Sequence, residues 1–394
     1  MSELISIAEA RRRVLDSVPR LGDETVVLDD ALGRVLAEDV RSAIDVPPFD
    51  SSGMDGYAVV AGPDAELEVV GEARAGHPAD IRVEPGATVR ISTGGKLPEG
   101  ADAVVPVERT TASNGTVRVP ETSPGQNVRR AGEDVPAGTV VLAAGTTAGP
   151  AELGVAASVG RAELRVARQP RVAILVTGDE LTPPGEPLPP GGIYSSNGFA
   201  LAGQVERAGA KLAGRTSVPD DPDGTRRAIG AALDRADVVV VSGGVSVGPH
   251  DHVKRTLRDL GVEERFWGVS LRPGKPTWFG VRDGTLAFGL PGNPVSAMVT
   301  FQLFTRPALA ALQGAPPEAR HVIATLGEAV PRNPQREQAV RVRLSQTDDG
   351  LIARPTGEQG SHMLTSMLGA DGLALISAGE GAAEAGGRVE VELL

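Results

Sequence analysis

Four carboxylates follow predicted strands in the central part of the chain. Asp179 and Glu180 come after the apolar run VAILV, Asp220 follows TSVP, and Asp251 follows a glycine-rich segment after VVVV. Parallel strands of an α/β sheet end at one edge, and ligands bind at that edge. Each carboxylate alone would be read as a helix cap or a solvated group. Together they would repel each other unless a hard cation joined them, which predicts Mg²⁺ with a polyphosphate-type ligand held by all four.

Two further segments at the same predicted edge are rich in glycine and proline. The first, SGGVSVG (242–248), lets the backbone approach a ligand, and its N–H groups would suit a phosphate. A tight strand-to-helix turn explains the same residues equally well. The second is GLPGNPVS (289–296), while SLRPGKPTWFG (270–280) adds positive charge nearby. The predicted binding residues are Ser242, Gly243, Gly244, Ser246, Gly248, Pro291, Gly292, Asn293, Ser296, Arg272 and Lys275.

The elements that must position these groups alternate along residues 170 to 315. Near-continuous apolar strands are followed by amphipathic helices, which predicts a parallel sheet covered on both faces. Short β-rich runs with Gly and Pro turns fill residues 47–145, and the tail is β-rich again. Ser6 and Glu9 fit a capping box that opens the first helix, and GPAELGVAASVG predicts another helix. The predicted division is 1–46 with 146–169, then 47–145, 170–317 and 318–394.

Composition narrows the classes of function. The chain has 394 residues, 41% hydrophobic and 23% charged, with a net charge of -12. The acidic balance argues against non-specific binding of nucleic acid. Cysteine is absent, so there is no disulfide, thiolate metal site or Cys nucleophile. No signal sequence is evident, and no apolar segment was expected to approach the length of a membrane span, so a cytoplasmic protein is predicted.

Nine segments occur in an order that resembles one family. They are PPFDSSGMDGYAV, STGGKLPEGADAVV, NVRRAGEDV, TGDEL, IYSSN, SGGVSVGPHDHVK, RPGKP, GLPGNPVSA and GEQGSHM. This order resembles the MoeA-type molybdopterin molybdenumtransferases, which are related to the E domain of gephyrin. The resemblance covers nearly the whole chain, and nine ordered matches make a chance explanation very unlikely.

The resemblance implies a multi-domain α/β plus β fold. Its parts are a central parallel α/β domain similar to molybdopterin adenylyltransferase, a β-rich insert, a discontinuous elongated dimerisation region and a C-terminal β domain. The implied activity is Mg²⁺-dependent insertion of molybdate into adenylylated molybdopterin, with release of AMP. The implied partners are a second identical subunit, whose β insert faces the α/β edge, and molybdopterin adenylyltransferase as the upstream enzyme.

Particular residues match the family's functional positions. Asp55 in the turn MDGY, Thr93, Glu180 and Asp220 are the implied catalytic residues. Asp134, Asp251, Arg341 and Ser361 match further polar positions and are implied to bind the cofactor. Strand alternation places Arg341 and Arg343 on one face, which is expected to be basic and turned toward the cleft.

Three positions depart from the family pattern, and two other functions stay open. Gly268 and Arg272 stand where many members have Lys, and Lys96 replaces a more usual Pro. Arg272 keeps the charge, whereas Gly268 loses one, so the oxyanion pocket is expected to be weaker or differently arranged. The α/β domain alone would also permit a molybdopterin adenylyltransferase, and a non-catalytic gephyrin-like scaffold is the third reading.

Overall fold

A computed structural model describes residues 4–218, 221–245 and 252–394. The chain forms two compact units. One contains residues 25–32 and 38–165, and the other contains residues 1–24, 33–37 and 166–394. The smaller unit is therefore built from an insertion into the larger one. The predicted multi-domain α/β plus β fold class is confirmed, and the four-part division of the chain stays a prediction.

The smaller unit is built on a mixed sheet. Within the described residues its six strands are, in spatial order, Ala103–Pro106, Gly56–Val59, Ala87–Ile91, Ala65–Ala73, Thr116–Val119 and Thr111–Ser113. Both faces of the Gly56–Val59 strand are buried, because Tyr57 and Val59 pack in one core and Ala58 packs in another. The β-rich insert read from the sequence is thus observed. The Pro150–Ser158 helix follows, as GPAELGVAASVG predicts.

The larger unit contains the α/β sheet. Among the described residues its strand order is Lys211–Val218, Arg171–Thr177, Val238–Ser242, Thr285–Leu290, Trp278–Arg282 and Glu263–Trp267. The first four strands are parallel, as predicted. The last two were not predicted: Trp278–Arg282 pairs antiparallel with Thr285–Leu290, and Glu263–Trp267 pairs antiparallel with Trp278–Arg282.

Helices cover both faces of this sheet, because its strands are apolar on both sides. On one face Leu201 and Val205 share a core with Val240 and Phe288, and on the other face Ile229 packs near Val241. Within the described residues, the α-helices of this unit are Ile7–Leu15, Asn197–Arg207, Pro222–Leu233, Val253–Asp259, Pro294–Thr300 and Arg306–Leu312, with a π-helix at Phe301–Thr305.

The first helix begins as the sequence predicts, but only half of the capping box forms. The Ser6 hydroxyl accepts the Glu9 N–H at 3.1 Å. The Glu9 carboxylate instead binds Arg12 and Arg13. Competition from two nearby guanidinium groups therefore replaces the reciprocal hydrogen bond of a complete capping box.

The C-terminal residues form a small closed sheet. In the described chain its strands are Glu337–Thr347, Gly350–Pro355, His321–Leu326, Arg388–Leu393 and Gly372–Ile376. The last of these pairs back with Glu337–Thr347, which closes the ring. The short strand Leu271–Arg272 adds to the same sheet through Glu337–Gln338. The segment that carries the predicted cation Arg272 is therefore shared between the α/β region and the C-terminal sheet.

One apolar segment is longer than the sequence reading allowed. Pro294–Leu312 is a 19-residue helix with a mean hydropathy of 1.3, long and apolar enough to cross a membrane. Within the protein, 78% of it is buried. The expectation that no segment approaches this length is wrong, and burial against the sheet accounts for its apolar composition.

A buried carboxylate joins the first helix to the last strand. Glu392 is fully buried and binds Arg11, and Gln302 donates to the same carboxylate at 3.3 Å. Removing one partner of a buried ion pair leaves the other charge uncompensated. The interaction therefore ties the first helix to the C-terminal sheet.

We predict that Arg11→Met lowers the free energy of unfolding by about 3 kcal/mol, because it leaves Glu392 buried without its cation. Urea unfolding followed by tryptophan fluorescence measures this change, since Trp267 and Trp278 both lie in the larger unit. Arg12→Met is the matched control, because Arg12 is exposed and should leave the unfolding midpoint unchanged. Equal shifts for the two variants would contradict the prediction.

Candidate functional site

A cavity of about 550 Å³ lies at the carboxyl edge of the parallel strands. Its volume is within the range of small-molecule sites. Five of the predicted site residues line it, namely Glu180, Ser242, Pro291, Gly292 and Asn293. The remaining lining includes Thr177, Tyr194, Ser196, Asn197, Pro276 and His362. The strand ends predicted from the sequence therefore surround a concave site with a mixed polar and apolar lining.

The turn after Val238–Ser242 has no room for side chains. Gly243 and Gly244 have φ angles of +96° and +65°. A Cβ at Gly243 would lie 2.7 Å from the carbonyl oxygen of Thr177, and one at Gly244 would lie 2.4 Å from Val253. Only glycine satisfies both the left-handed backbone and this spacing. The close packing of the adjacent strands therefore requires glycine at both positions. This requirement is independent of any role of the turn in binding phosphate.

Asn197 joins three segments of the cavity. Its amide nitrogen donates to the Ser242 hydroxyl at 2.9 Å and to the carbonyl oxygen of Gly292 at 2.7 Å. The Ser242 hydroxyl in turn donates to the carbonyl oxygen of Pro291 at 3.2 Å. Because both side chains are buried, these hydrogen bonds fix the relative positions of the helix start and the two strand ends. Ser242 thus has a structural role in addition to its predicted binding role.

Glu180 lies over the backbone of Gly178. Its carboxylate oxygens come within 2.7 to 2.8 Å of the point where a Cβ at Gly178 would stand. The side chain is exposed and lines the cavity, while its backbone carbonyl accepts the Ile193 N–H at 2.8 Å. A short strand pairing of Leu181–Thr182 with Ile193–Tyr194 then closes the proline-rich loop. The carboxylate is therefore available to a ligand in the cavity.

The C-terminal sheet reaches the cavity through one loop. The Asn293 amide donates to the Ser361 hydroxyl at 3.0 Å, and the Val295 N–H donates to the Ser361 carbonyl oxygen at 3.2 Å. His362 lines the cavity directly. The structure therefore brings Ser361 together with the predicted α/β residues, although the two regions are far apart in the sequence.

Arg341 does not lie on an exposed basic face. Its side chain is fully buried, whereas Arg343, two residues along the same strand, is exposed. The Arg341 guanidinium donates to the Ser366 hydroxyl at 3.1 Å and to the carbonyl oxygens of Glu358 and Gly360 at 3.4 and 3.3 Å. Burial lowers its pKa to about 10. The expectation of a basic face turned toward the cleft is therefore wrong for Arg341, because it packs beneath the loop that carries Ser361.

Arg272 and Lys275 are both exposed, and neither forms an ion pair within the described part of the chain. Lys275 directly precedes Pro276, which lines the cavity. Ser296, by contrast, is buried in the helix that starts at Pro294, and its carbonyl oxygen accepts the Thr300 hydroxyl at 2.7 Å. A ligand could therefore reach Arg272 and Lys275, whereas Ser296 is not accessible to it.

The predicted residues of the insert belong to the smaller unit. Asp55 accepts hydrogen bonds from the Thr93 N–H at 2.6 Å and from the Thr93 hydroxyl at 3.0 Å. Gly56 allows this turn, because a Cβ there would lie 2.0 Å from the carbonyl oxygen of Val105. Asp50 accepts the Ala131 N–H at 2.8 Å and fixes the same turn. Asp55 and Thr93 are therefore one exposed hydrogen-bonded pair.

Asp134 is exposed in the neighbouring loop of the insert, where its backbone N–H donates to the carbonyl oxygen of Val46 at 3.0 Å. Lys96 is also exposed, while the Gly268 backbone has a φ of +90°. A lysine at position 268 would need a left-handed backbone, so the local conformation accounts for glycine there.

Several predictions lie outside the described residues. They concern Asp220, Ser246, Gly248 and Asp251. Asp179 is exposed beside Glu180 and takes part in an interaction of its own. Among residues 4–218, 221–245 and 252–394, no three acidic or histidine side chains are grouped as a metal site. The four-carboxylate metal site therefore stays a prediction.

Sequence reasoning gave no role to Asn197, Thr177, Tyr194 or His362. All four residues stand inside motifs that carried the resemblance: Tyr194 and Asn197 in IYSSN, Thr177 in TGDEL and His362 in GEQGSHM. The missing information was the packing of IYSSN against the strand ends, which strand periodicity does not reveal. The sequence did contain one indication of a role for Asn197, because it is a polar residue that follows two serines and begins a predicted helix.

Three family descriptions match successive parts of the chain. "MoeA N-terminal region (domain I and II)" matches residues 5–160, "Probable molybdopterin binding domain" matches 173–311, and "MoeA C-terminal region (domain IV)" matches 324–394. Together they leave only short segments unmatched. The boundaries between them fall near the ends of the β-rich insert region and the α/β region.

Relatives match over nearly the whole length. Molybdopterin molybdenumtransferase of Haemophilus influenzae is 37% identical over 99% of this chain and 98% of its own. Molybdopterin molybdenumtransferase 2 of Mycobacterium tuberculosis is 39% identical over 93% of this chain and 94% of its own. The molybdopterin biosynthesis MoeA protein of Pyrococcus horikoshii OT3 has a similar structure, with a TM-score of 0.86, 31% identity and full coverage of both chains.

We predict that Asp55 titrates well below an ordinary aspartate. The Thr93 N–H, then the Thr93 hydroxyl and the charge of Arg90, lower its pKa. The ionised form is therefore favoured in the folded state, and this stabilisation is present above the unfolded pKa of about 3.9 and lost as the pH falls through the folded pKa. Carboxyl ¹³C NMR, with Asp55→Asn to identify the signal, measures the titration.

Thr93→Val is the matched variant, because it keeps the backbone N–H and removes only the hydroxyl. It should raise the pKa of Asp55 part of the way toward the ordinary value. A wild-type titration at or above pH 4 would contradict the observed hydrogen bonds.

Proposed function

The chain belongs to the MoeA family, and on this premise we propose that it inserts molybdate into adenylylated molybdopterin and releases AMP. The whole-length relatives are named molybdopterin molybdenumtransferases, so the transferase class is well supported. The observation that carries the proposal is the strand-edge cavity, lined by residues of the same motifs that match the family. A protein with only the α/β part would lack the Ser361 loop that completes this cavity.

The cavity lining suits an anhydride of two phosphates. The buried network of Asn197 and Ser242 fixes the strand ends, so the exposed backbone N–H groups and hydroxyls keep their positions when a ligand enters. Such preorganised donors stabilise the charge that develops on phosphate oxygens during transfer. Glu180 stands at the cavity wall, where its carboxylate can orient the group that attacks phosphorus.

The lining also provides the kind of oxygen ligands that usually bind Mg²⁺ in proteins. Mg²⁺ prefers oxygen ligands, keeps several waters and uses one or two carboxylates together with substrate phosphates. Glu180 offers such a carboxylate, and Asp179 follows the same strand. The Thr177 hydroxyl is buried with no hydrogen-bond partner among the described residues, so the strand end has an unsatisfied oxygen. When bound, the ion would neutralise phosphate charge, and Glu180 with Asp179 would hold it.

Molybdate is a tetrahedral dianion and needs cations and hydrogen-bond donors. Arg272 and Lys275 are exposed and without ion pairs in the described chain, and the Ser361 hydroxyl lies on the loop beside Asn293. We assign oxyanion binding to these three residues. The buried Arg341 contributes by holding the carbonyl oxygens of the Ser361 loop.

We also propose that the active form is a cytoplasmic homodimer that receives its substrate from a molybdopterin adenylyltransferase. The proposal is supported by the position of Asp55 in the MDGY motif. In the family, the Asp at this position faces the strand-edge site of the second subunit. The exposed Asp55 and Thr93 pair would then contact a ligand held by the partner.

The function is tested by molybdate-dependent AMP release. Purified protein is mixed with adenylylated molybdopterin and Mg²⁺, and AMP is quantified with and without molybdate. We predict that AMP appears only when molybdate is present. Consumption of ATP with formation of adenylylated molybdopterin would show an adenylyltransferase instead, and the absence of both reactions would favour a scaffold.

In the same assay, Glu180→Gln should slow AMP release by about 100-fold, as expected when a positioned carboxylate is lost from a reacting site. Glu186→Gln is the matched control, because Glu186 lies on the adjacent proline-rich loop and forms its hydrogen bonds there through its backbone, whose carbonyl accepts the Tyr194 hydroxyl and whose N–H donates to the Pro183 carbonyl oxygen. An unchanged rate for Glu180→Gln at saturating Mg²⁺ would remove Glu180 from the mechanism.

The shared site is tested by complementation. We predict that Asp55→Asn and Glu180→Gln are each inactive as homodimers, and that co-expression of the two restores about a quarter of wild-type activity, because half of the dimers would hold one intact site. Sedimentation should show two chains per particle for every sample. Failure of the mixed sample to recover activity would place both residues in sites within one chain.

A further inference from the structure

A second cavity, of about 370 Å³, lies apart from the strand-edge cavity and shares no lining residue with it. The helix that ends at Arg207 and the helix containing Met298 form one side. The C-terminal residues Met367 and Leu393 form the other. A ligand there would contact the α/β region and the C-terminal sheet at once.

Three arginines from separate segments line this cavity. Arg207 ends a helix, Arg306 begins another, and Arg320 immediately precedes the first strand of the C-terminal sheet. In the part of the chain that the structure describes, none of the three has a carboxylate within 4.0 Å. Three guanidinium groups that line one small volume give it an excess of positive charge, which an anion held between them would compensate.

The nearby acids form no ion pair with these arginines in the described chain. Glu392 is bound to Arg11, and Glu318 lines a neighbouring cavity that Arg306 also lines. Arg306 itself donates one hydrogen bond, to the carbonyl oxygen of Pro317 at 2.9 Å, and its Nε has no partner among the described residues. Burial lowers the pKa of Arg306, while the charges of Glu392 and Glu318 oppose that shift without cancelling it.

The rest of the lining is apolar. Met298, Phe301, Met367 and Leu393 contribute thioether, aromatic and aliphatic surface. Phe301 begins the π-helix, and such irregular turns inside α-helices are frequent at functional sites. Met side chains also adapt to ligands of irregular shape. The cavity thus combines a cationic rim with an apolar wall.

We propose that this cavity binds a small organic phosphate. The phosphate group pairs with Arg207, Arg306 and Arg320, since a dianion with three free oxygens matches three guanidinium groups better than a carboxylate does. The organic portion packs against Met298, Phe301 and Met367. The site is independent of the proposed transferase reaction, because none of its residues belongs to the strand-edge cavity.

Calorimetric titration tests the site with butyl phosphate as the probe, compared with inorganic phosphate and butyrate. We expect one butyl phosphate per chain, bound more tightly than either comparison compound. Equal binding of butyl phosphate and inorganic phosphate would overturn the apolar contact. Absence of butyl phosphate binding would overturn the second site.

Arg207→Gln and Arg320→Gln test the cations without disturbing the half-buried Arg306. Each should weaken butyl phosphate binding by about tenfold or more, the effect of losing one charge-assisted contact. Both should keep wild-type AMP release, because neither lines the strand-edge cavity. Arg226→Gln, on an exposed helix position away from either cavity, is the control. Similar weakening by Arg226→Gln would show non-specific attraction and contradict the proposal.

Discussion

The close approach of two backbones at the end of the central strand constrains the whole strand-edge site. Gly243 passes so near the Thr177 carbonyl that no Cβ fits between them. This approach brings the ends of neighbouring parallel strands together and leaves the Ser242 hydroxyl beside Asn197. The cavity depends on that spacing, since a larger residue at position 243 would separate the strand ends that carry Glu180 and Gly292.

The C-terminal sheet depends on the same edge for its position. Ser361 binds Asn293 and Val295 at the start of the Pro294 helix, so the loop that carries it follows the strand end. Arg341 then supports that loop from the interior of the C-terminal sheet. Its guanidinium donates hydrogen bonds to the carbonyl oxygens of Glu358 and Gly360. Buried polar groups are stable when their hydrogen bonds are made, so this arginine is better understood as a support for the loop than as an open cation.

Strand and helix periodicity was sufficient to predict the α/β region, because its strands are buried on both sides and its helices are amphipathic. The positions of Glu180, Ser242 and Asn293 at one edge follow directly from that topology. Two features could not be predicted. The antiparallel strands Glu263–Trp267 and Trp278–Arg282 depend on long-range pairing, and alternation alone does not tell whether Arg341 faces solvent or a neighbouring loop. Burial on a strand face is decided by what packs above it, which local sequence does not contain.

The charge of the chain explains why its anion sites must be local. A net charge of -12 opposes anionic ligands at long range, but at physiological salt this repulsion is screened beyond about 8 Å. The anion binding proposed for Arg272 and Lys275 would therefore depend on direct contact, and neither residue forms an ion pair in the described chain. Some other arginines are engaged by carboxylates, as Arg11 is by Glu392 and Arg130 is by Asp50. A paired cation attracts an external anion less, so on an acidic protein anion binding depends on where unpaired cations are grouped, and this selectivity would be lost if its surface were generally basic.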